Sequence, residues 1–290
     1  MPEPVKKTVK VVRPKKAAPA PAPRAATKVS VYNVQGEVKG DMVLPEAFNE
    51  DFRPDLIHKA VVAAQSNRRQ PYAPMPKAGQ QHAVSTWGKG RGVARVQRIH
   101  GSSKAAQSPN NVGGRRAHPP KVETIWSKKM NRKERGMALR SALTATTSID
   151  KVRARGHTFK EGVSLPIVME EAFESIAKGV EGERRSPIKI GAELLDKLGI
   201  YSDIVRADDG TRIRAGRGKL RGRRYRTPKS ILIVVANKEG VAPCFRNLPG
   251  VDVVSLREMG VEHLAPGGQP GRLTMISESA VKALGQGAGQ

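Results

Sequence analysis

The chain has 290 residues, and 52 Lys and Arg against 26 Asp and Glu give it a formal net charge of +26 and a pI near 10.6. Such an imbalance opposes compaction by self-repulsion unless a polyanion neutralises it. No run of 18 or more apolar residues exists, so the sequence predicts no membrane span, and Met1–Arg24 lacks the apolar centre of a signal peptide. The single cysteine, Cys244, excludes an intrachain disulfide framework and is expected to pack in a core within a reducing compartment.

The front of the chain predicts a tail, a strand and a helix. Residues 1–27 are rich in Lys, Pro and Ala, which cannot bury a core, so we predict a basic tail that is disordered when free. Val29–Asn33 reads as a strand and precedes a turn at Gly36. After Pro54, apolar residues near helical spacing predict a helix that fades at Asn67–Gln70, ahead of three prolines.

A long cationic segment separates this helix from the next one. The sequence from Leu56 to Val122 contains no Asp or Glu, and the next helix is predicted over Asn131–Ala145 with Asn131 as its N-cap. Loops longer than about 12–15 residues are uncommon in compact domains unless they are functional or disordered. We therefore predict an extended basic loop over residues 65–121 that gains its order from a partner.

The second half of the chain alternates short apolar strands with helical patterns. The predicted strands are Leu165–Met169, Ile231–Ala236, Val251–Leu256 and Leu273–Ser277, and the predicted helices are Glu170–Ala177, Pro187–Leu198 and Ser279–Leu284. Strands that are apolar on both faces and alternate with helices predict an α/β fold with a mostly parallel sheet flanked by helices. We expect one globular domain over residues 28–285, interrupted by the loop, and a short disordered tail over residues 286–290.

Two cationic segments supply the candidate RNA-binding residues. Glycines let a backbone approach phosphates closely, arginine forks bind phosphate bidentately, and aromatic rings stack on unpaired bases. One such run is ordinarily a solvated face, but two runs, a basic tail and an acid-free segment together favour RNA. The candidates of the first segment are Arg68, Arg69, Trp87, Lys89, Arg91, Arg95, Arg98, His100, Lys104, Arg115, Arg116, His118 and Lys121. The candidates of the second segment are Arg214, Arg217, Lys219, Arg221, Arg223, Arg224, Tyr225 and Arg226.

The glycine-rich segments also raise the alternative of a nucleotide site, but their context argues against it. Gly88–Gly92 does not follow an apolar strand, and Lys219 is followed by Leu220 where a magnesium-binding Ser or Thr would be required. The six histidines lack the paired spacing of metal ligands, and no nucleophile motif or carboxylate pair indicates catalysis. We expect no enzymatic activity, no cofactor, no metal and no small-molecule substrate.

Four motifs that occur in order resemble those of a known family, large-subunit ribosomal protein four in its archaeal and eukaryotic form. They are WGKGRGVARVQRIHG (Trp87–Gly101), GGRRAHPPK (Gly113–Lys121), NRKERGMALRSALTAT (Asn131–Thr146) and GRGKLRGRRYRTPKSILIV (Gly216–Val234). The resemblance runs from about Val29 to the last helix near Leu284. The residues up to Thr27 and the closing GQGAGQ are peculiar to this chain.

The resemblance implies a Rossmann-like α/β domain in the large ribosomal subunit in the cytoplasm, with a loop that reaches through ribosomal RNA to the wall of the peptide exit tunnel. Its implied partners are large-subunit ribosomal RNA, neighbouring large-subunit proteins and the nascent polypeptide, without a membrane, and its implied role includes support of assembly. The tunnel-facing candidates are Arg91, Arg95, Arg98, Ser102 and Lys104. An RNA chaperone or another nucleic-acid packaging protein outside the ribosome remains the alternative.

Overall fold

The structure, a computed structural model, describes residues 27–177 and 186–287. The predicted N-terminal tail, apart from Thr27, lies outside the described residues, and so do the last three residues of the chain.

The described residues form ten strands and eight α-helices. The strands are β1 (Lys28–Tyr32), β2 (Val38–Val43), β3 (Val84–Ser85), β4 (Arg98–Ile99), β5 (Ile167–Met169), β6 (Arg212–Ile213), β7 (Tyr225–Arg226), β8 (Leu232–Val235), β9 (Asp252–Ser255) and β10 (Thr274–Ser277). The helices are α1 (Pro54–Asn67), α2 (Arg132–Thr147), α3 (Ile149–Ala154), α4 (Pro187–Lys197), α5 (Tyr201–Asp209), α6 (Ala242–Phe245), α7 (Val261–Leu264) and α8 (Glu278–Gly287).

Six of these strands make one central sheet with the order β2-β1-β5-β10-β8-β9. Strand β2 is antiparallel to β1, and every other pair of neighbours in the sheet is parallel. The mostly parallel α/β sheet predicted from the sequence is therefore confirmed.

Neighbouring residues of each central strand fill two hydrophobic cores, one on each face of the sheet. Val168 and Val234 point into the first core, where α1, α2, α7 and α8 pack. Ile167 and Ile233 point into the second core, where α4, α5 and α6 pack and where Cys244 is fully buried. Because successive strand residues face opposite sides, a strand buried on both sides is mostly apolar, as β5 and β8 are throughout.

Local sequence signals explain where the two long helices beside the first core begin. Pro54 occupies the start of α1, where its missing N–H costs no hydrogen bond, and Asp55 lies in the first turn. The side chain of Asn131 accepts a hydrogen bond from the backbone N–H of Lys133 at 3.3 Å, so the predicted N-cap of α2 is confirmed.

Several elements differ from the sequence prediction. The structure contains strands and helices that were not predicted, namely β2, β3, β4, β6, β7, α3, α6 and α7. The helix predicted over Glu170–Ala177 is instead a short 3-10 helix over Glu171–Ser175, because the chain turns there to bring Phe173 into the second core.

One buried guanidinium holds the loops at the amino-terminal side of the sheet. Arg272 is fully buried, and it donates to the carbonyl oxygens of Ser230 (2.7 Å), His263 (2.9 Å) and Gly250 (3.1 Å). Its guanidinium also lies 2.7 Å from the carboxylate of Asp252. Burial lowers the pKa of Arg272, and the carboxylate opposes that shift. This cation is therefore structural and is not available to a ligand.

Candidate nucleic-acid interface

The chain between α1 and α2, residues 68–130, forms a long projection that we call the arm. Strands β3 and β4 pair antiparallel within it, with Val84 opposite Ile99 and Ser85 opposite Arg98. The arm therefore consists of an outward limb, a head beyond the β3–β4 pair, and a return limb.

Contacts between the limbs keep the arm narrow. The side-chain amide of Gln107 donates to the carbonyl oxygens of His82 (2.6 Å) and Gln80 (3.3 Å). At Gly79 the backbone has a φ of +78°, and a Cβ atom there would lie 2.5 Å from the backbone nitrogen of Arg115. Only glycine fits a position with both properties, so Gly79 permits a close approach of the two limbs.

The head of the arm is organised around Trp87. The guanidinium carbons of Arg98 and Arg91 lie 4.9 Å and 5.4 Å from the centre of the indole ring, within the range of a cation–π interaction. Arg98 also donates to the carbonyl oxygens of Ser103 and Ala94. Of the candidates in the head, Trp87 and Arg98 thus also build the head itself.

Most other candidates in the arm are exposed cations. Lys89, Arg95 and Lys104 project into solvent, and no carboxylate of the described residues pairs with them. The same holds for the exposed candidates Arg91, His100, Arg116, His118 and Lys121 and for the half-buried Arg115. This uncompensated charge is the main electrostatic feature of the arm.

Two contacts, which we call the clasp, join the ends of the arm. The guanidinium of Arg69 lies 3.9 Å from the centre of the Trp126 ring, and the backbone N–H of Lys128 donates to the side-chain oxygen of Asn67 at 2.8 Å. Trp126 was missed by the sequence analysis. The available signal was a second tryptophan just ahead of two lysines at the far end of the cationic segment.

A bidentate ion pair ties the base of the arm to the globular domain. Arg68 donates to both carboxylate oxygens of Glu262 in α7, at 2.6 Å and 2.9 Å. A fork of this kind fixes orientation as well as charge. The structure thus gives Arg68 and Arg69, both candidate RNA ligands, contacts that position the arm.

The second cationic segment is a hairpin, residues 212–226, which we call the basic hairpin. Strands β6 and β7 pair antiparallel, and the chain between them contains a 3-10 helix over Arg217–Arg221. The Arg214 side chain donates to the carbonyl oxygens of Arg223 (3.0 Å) and Tyr225 (3.4 Å), so this candidate holds the hairpin closed. The other candidates of the hairpin are exposed, namely Arg217, Lys219, Arg221, Arg223, Arg224, Tyr225 and Arg226.

The two cationic segments are separate surfaces. No hydrogen bond within the described residues connects the basic hairpin to the arm. The Arg224 guanidinium lies 5.7 Å from the centre of the Tyr225 ring, and that ring is 60% exposed. An exposed aromatic face beside arginines suits stacking with a base.

The carboxyl edge of the sheet, where parallel α/β folds bind ligands, contains a carboxylate that the sequence analysis missed. Glu174 accepts hydrogen bonds from the hydroxyls of Ser277 (2.6 Å) and Ser279 and from the backbone N–H groups of Ala236 (2.9 Å) and Asn237 (3.3 Å). Burial alone would raise the pKa of Glu174, but these hydrogen bonds outweigh it and lower the pKa. An internal anion therefore occupies this edge.

Across residues 27–177 and 186–287, no three His, Cys, Asp or Glu side chains are grouped so that they could hold a metal ion. No helix in those residues is long and apolar enough to cross a membrane.

The fold and the two cationic segments define a strongly basic α/β protein that carries a long arm. The chain belongs to the Ribosomal protein L4/L1 family, whose family model matches residues 42–287. The resemblance inferred from the four sequence motifs is thereby confirmed.

Curated relatives agree with this assignment over nearly their whole length. Large ribosomal subunit protein uL4 of Archaeoglobus fulgidus is 48% identical over 259 residues, which is 89% of this chain and 98% of that protein. The proteins of the same name from Methanococcoides burtonii and Methanocaldococcus jannaschii are 47% and 46% identical over 88% and 89% of this chain, and over 96% and 98% of their own lengths.

Proposed function

We propose that the protein is a structural, non-enzymatic constituent of the large ribosomal subunit in the cytoplasm. It binds large-subunit ribosomal RNA, supports assembly of the subunit and contacts neighbouring large-subunit proteins. The single observation that carries the proposal is the charge of the arm and the basic hairpin, whose exposed cations other than Arg68 have no carboxylate partner among the described residues. Cations of this kind favour binding to a nucleic acid, because each contact with a phosphate releases a condensed counterion from the nucleic acid.

The arm is the part that reaches furthest into the RNA. Its cations line both limbs, and its narrow cross-section, kept by Gln107 and Gly79, suits a passage between RNA helices. The clasp and the Arg68–Glu262 pair hold its base, so the arm leaves the domain in a fixed direction.

The head of the arm is the part that helps line the polypeptide exit tunnel and meets the nascent chain. The tunnel-facing candidates remain Arg91, Arg95, Arg98, Ser102 and Lys104. Arg98 is engaged with Trp87 and with backbone carbonyls, so Arg95 and Lys104 are the freer members of this set.

The globular domain, in a Rossmann-like arrangement, anchors the arm and presents the basic hairpin to a second RNA surface. Glu174 occupies the carboxyl edge of its sheet, which supports a domain without a nucleotide ligand.

Salt-dependent RNA binding tests the proposal. Replacing Arg221, Arg223 and Arg224 with Ala removes three phosphate contacts, so the slope of log K against log salt should become shallower by about 2 to 3. The matched control replaces Lys160, Lys189 and Arg246, three exposed cations beside the second core, and should leave the slope unchanged. An equal slope for the hairpin variant and the native protein would refute RNA contact by the hairpin.

Sedimentation separates the proposal from the alternative of a free RNA chaperone or packaging protein. A ribosomal constituent should remain with purified large subunits in high salt at one copy per subunit. Release of the protein under those conditions would favour the alternative, which none of the comparisons supports.

A further inference from the structure

A groove of about 1280 Å³ opens on the first-core side of the domain, between α1, α2 and α7 and directly beside the base of the arm. Its wall includes Asn67 and Lys128, which belong to the clasp. Its floor is apolar and contains Ala63 and Ala64 of α1 and Met137 of α2. None of the candidate RNA-binding residues named from the sequence lines it.

The rim of the groove is cationic. Lys128, Arg132, Lys133, Arg135 and Arg257 line the groove and are exposed, and no hydrogen bond or ion pair of the described residues engages their side chains. Arg132, Lys133 and Arg135 lie at the start of α2, within the motif Asn131–Thr146. This motif belongs to neither the arm nor the basic hairpin.

The acidic residues of the groove do not offset this charge. Glu262 is engaged by Arg68 through two hydrogen bonds, and Glu50 lies 2.7 Å from the Nε atom of Arg140. A ligand that enters the groove therefore meets five cations without a counter-charge, and an apolar surface below them.

We propose that this groove is a third RNA-binding surface, which takes a short unpaired stretch of RNA with its phosphates on the rim and a base on the apolar floor. The inference rests on the proposed function and adds a site to it. The charge requires an anionic ligand, and the apolar floor suits the face of a base.

The position of the groove supports the same occupant. Because the clasp forms part of its wall, RNA that follows the arm to its base passes directly into the groove. The groove thus continues the surface that the arm presents.

Two variants of the full-length protein test the phosphate and base contacts separately. The rim variant Arg132→Ala/Lys133→Ala/Arg135→Ala removes three cations and should make the salt slope of binding to a large-subunit ribosomal RNA transcript shallower by about 2 to 3. The floor variant Ala64→Leu keeps every charge but places a larger side chain on the floor where a base would lie, and should weaken binding a few-fold with the slope unchanged. Both changes introduce good helix formers at exposed positions, so thermal unfolding should stay close to that of the native protein.

Each outcome decides the proposal. A rim variant with the native slope overturns it, and so does a floor variant with native affinity. A rim variant that binds RNA normally but leaves purified subunits would assign the groove to a neighbouring protein. If the rim variant keeps the native salt slope while the hairpin variant makes it shallower, the groove proposal is wrong and the proposed function stands. If both keep the native slope, the proposed function itself is wrong.

Discussion

Replacing Glu174 with Gln tests whether the carboxyl edge of the sheet requires an internal negative charge. The substitution keeps the shape of the side chain and removes its charge. In the native protein one carboxylate oxygen accepts from Ser277, Ser279 and the N–H of Ala236, while the other accepts from the N–H of Asn237. In the variant an amide NH₂ group replaces one of these oxygens. This hydrogen-bond donor then faces a hydroxyl or backbone N–H group that needs an acceptor.

The expected cost follows from these four contacts. Hydrogen bonds to a charged group contribute about 1.5–3 kcal/mol each, against about 0.5–1.5 kcal/mol for neutral ones, and an unsatisfied buried donor costs about 1–3 kcal/mol. Because the site is partly exposed and the serine hydroxyls can rotate, we expect Glu174→Gln to reduce the free energy of unfolding by about 3 kcal/mol. For a domain of this size that corresponds to a fall in Tm of roughly 6–12 °C.

The effect should also depend on pH, with a definite sign. The folded-state pKa of Glu174 lies below its ordinary value of 4.5, so the carboxylate stabilises the fold above pH 4.5. That stabilisation is lost as the pH falls through the lowered pKa. The Tm difference between the native protein and Glu174→Gln should therefore be full at pH 7 and shrink below pH 4.5.

Thermal unfolding between pH 7 and pH 3 measures both quantities. The matched control is Glu171→Gln, in the same 3-10 helix, where the carboxylate is 61% exposed and pairs with Lys282. Surface pairs contribute about 0–1 kcal/mol, so the control should change little. If Glu174→Gln costs no more than the control at pH 7, or if its cost does not begin to shrink as the pH falls below 4.5, the Glu174 carboxylate does not stabilise this edge of the sheet.

Three further substitutions test individual contacts. Arg272→Leu removes a buried guanidinium that bonds the Ser230 carbonyl and should cost about 3–5 kcal/mol in urea unfolding, whereas a cost below 1 kcal/mol would contradict its structural role. Trp126→Ala removes the ring under Arg69, worth about 0.5–1 kcal/mol, and should speed tryptic cleavage of the arm a few-fold while global unfolding stays near native; unchanged cleavage would argue against the clasp. Asn131→Ala should cost about 1 kcal/mol by loss of the α2 N-cap, and an unaltered urea midpoint would show that the cap is not needed.

The buried strands were predictable because burial on both faces favours a continuous apolar run, as at β5 and β8. Strand β2 was not predictable by the same rule. Its sequence VKGDMV contains Gly40 and Asp41, and most of its residues are exposed because it lies at the edge of the sheet. An edge strand of this kind resembles a polar loop in sequence, and its pairing with β1 is decided by the sheet.

The sequence predicted which cationic residues make up the candidate site, but not which of them make structural contacts within the protein. The sequence shows that Arg68 and Arg214 are cationic, but not that one bonds a carboxylate 194 residues further along the chain and the other bonds carbonyls across a hairpin. Both contacts depend on tertiary placement. The groove beside α2 was missed for the same reason, since its rim combines Arg132 with Arg257, from segments that are distant in sequence.

The structure separates two populations of cations by what surrounds them. Inside the globular domain Arg272 and Arg140 form ion pairs with carboxylates of the same chain, which neutralise their charge. Most cations of the arm have no acidic residue near them in sequence, because no acid occurs from Leu56 to Val122. Packing those cations together without counter-charge would oppose folding by self-repulsion. The fold tolerates them because the arm exposes them to solvent, outside both hydrophobic cores.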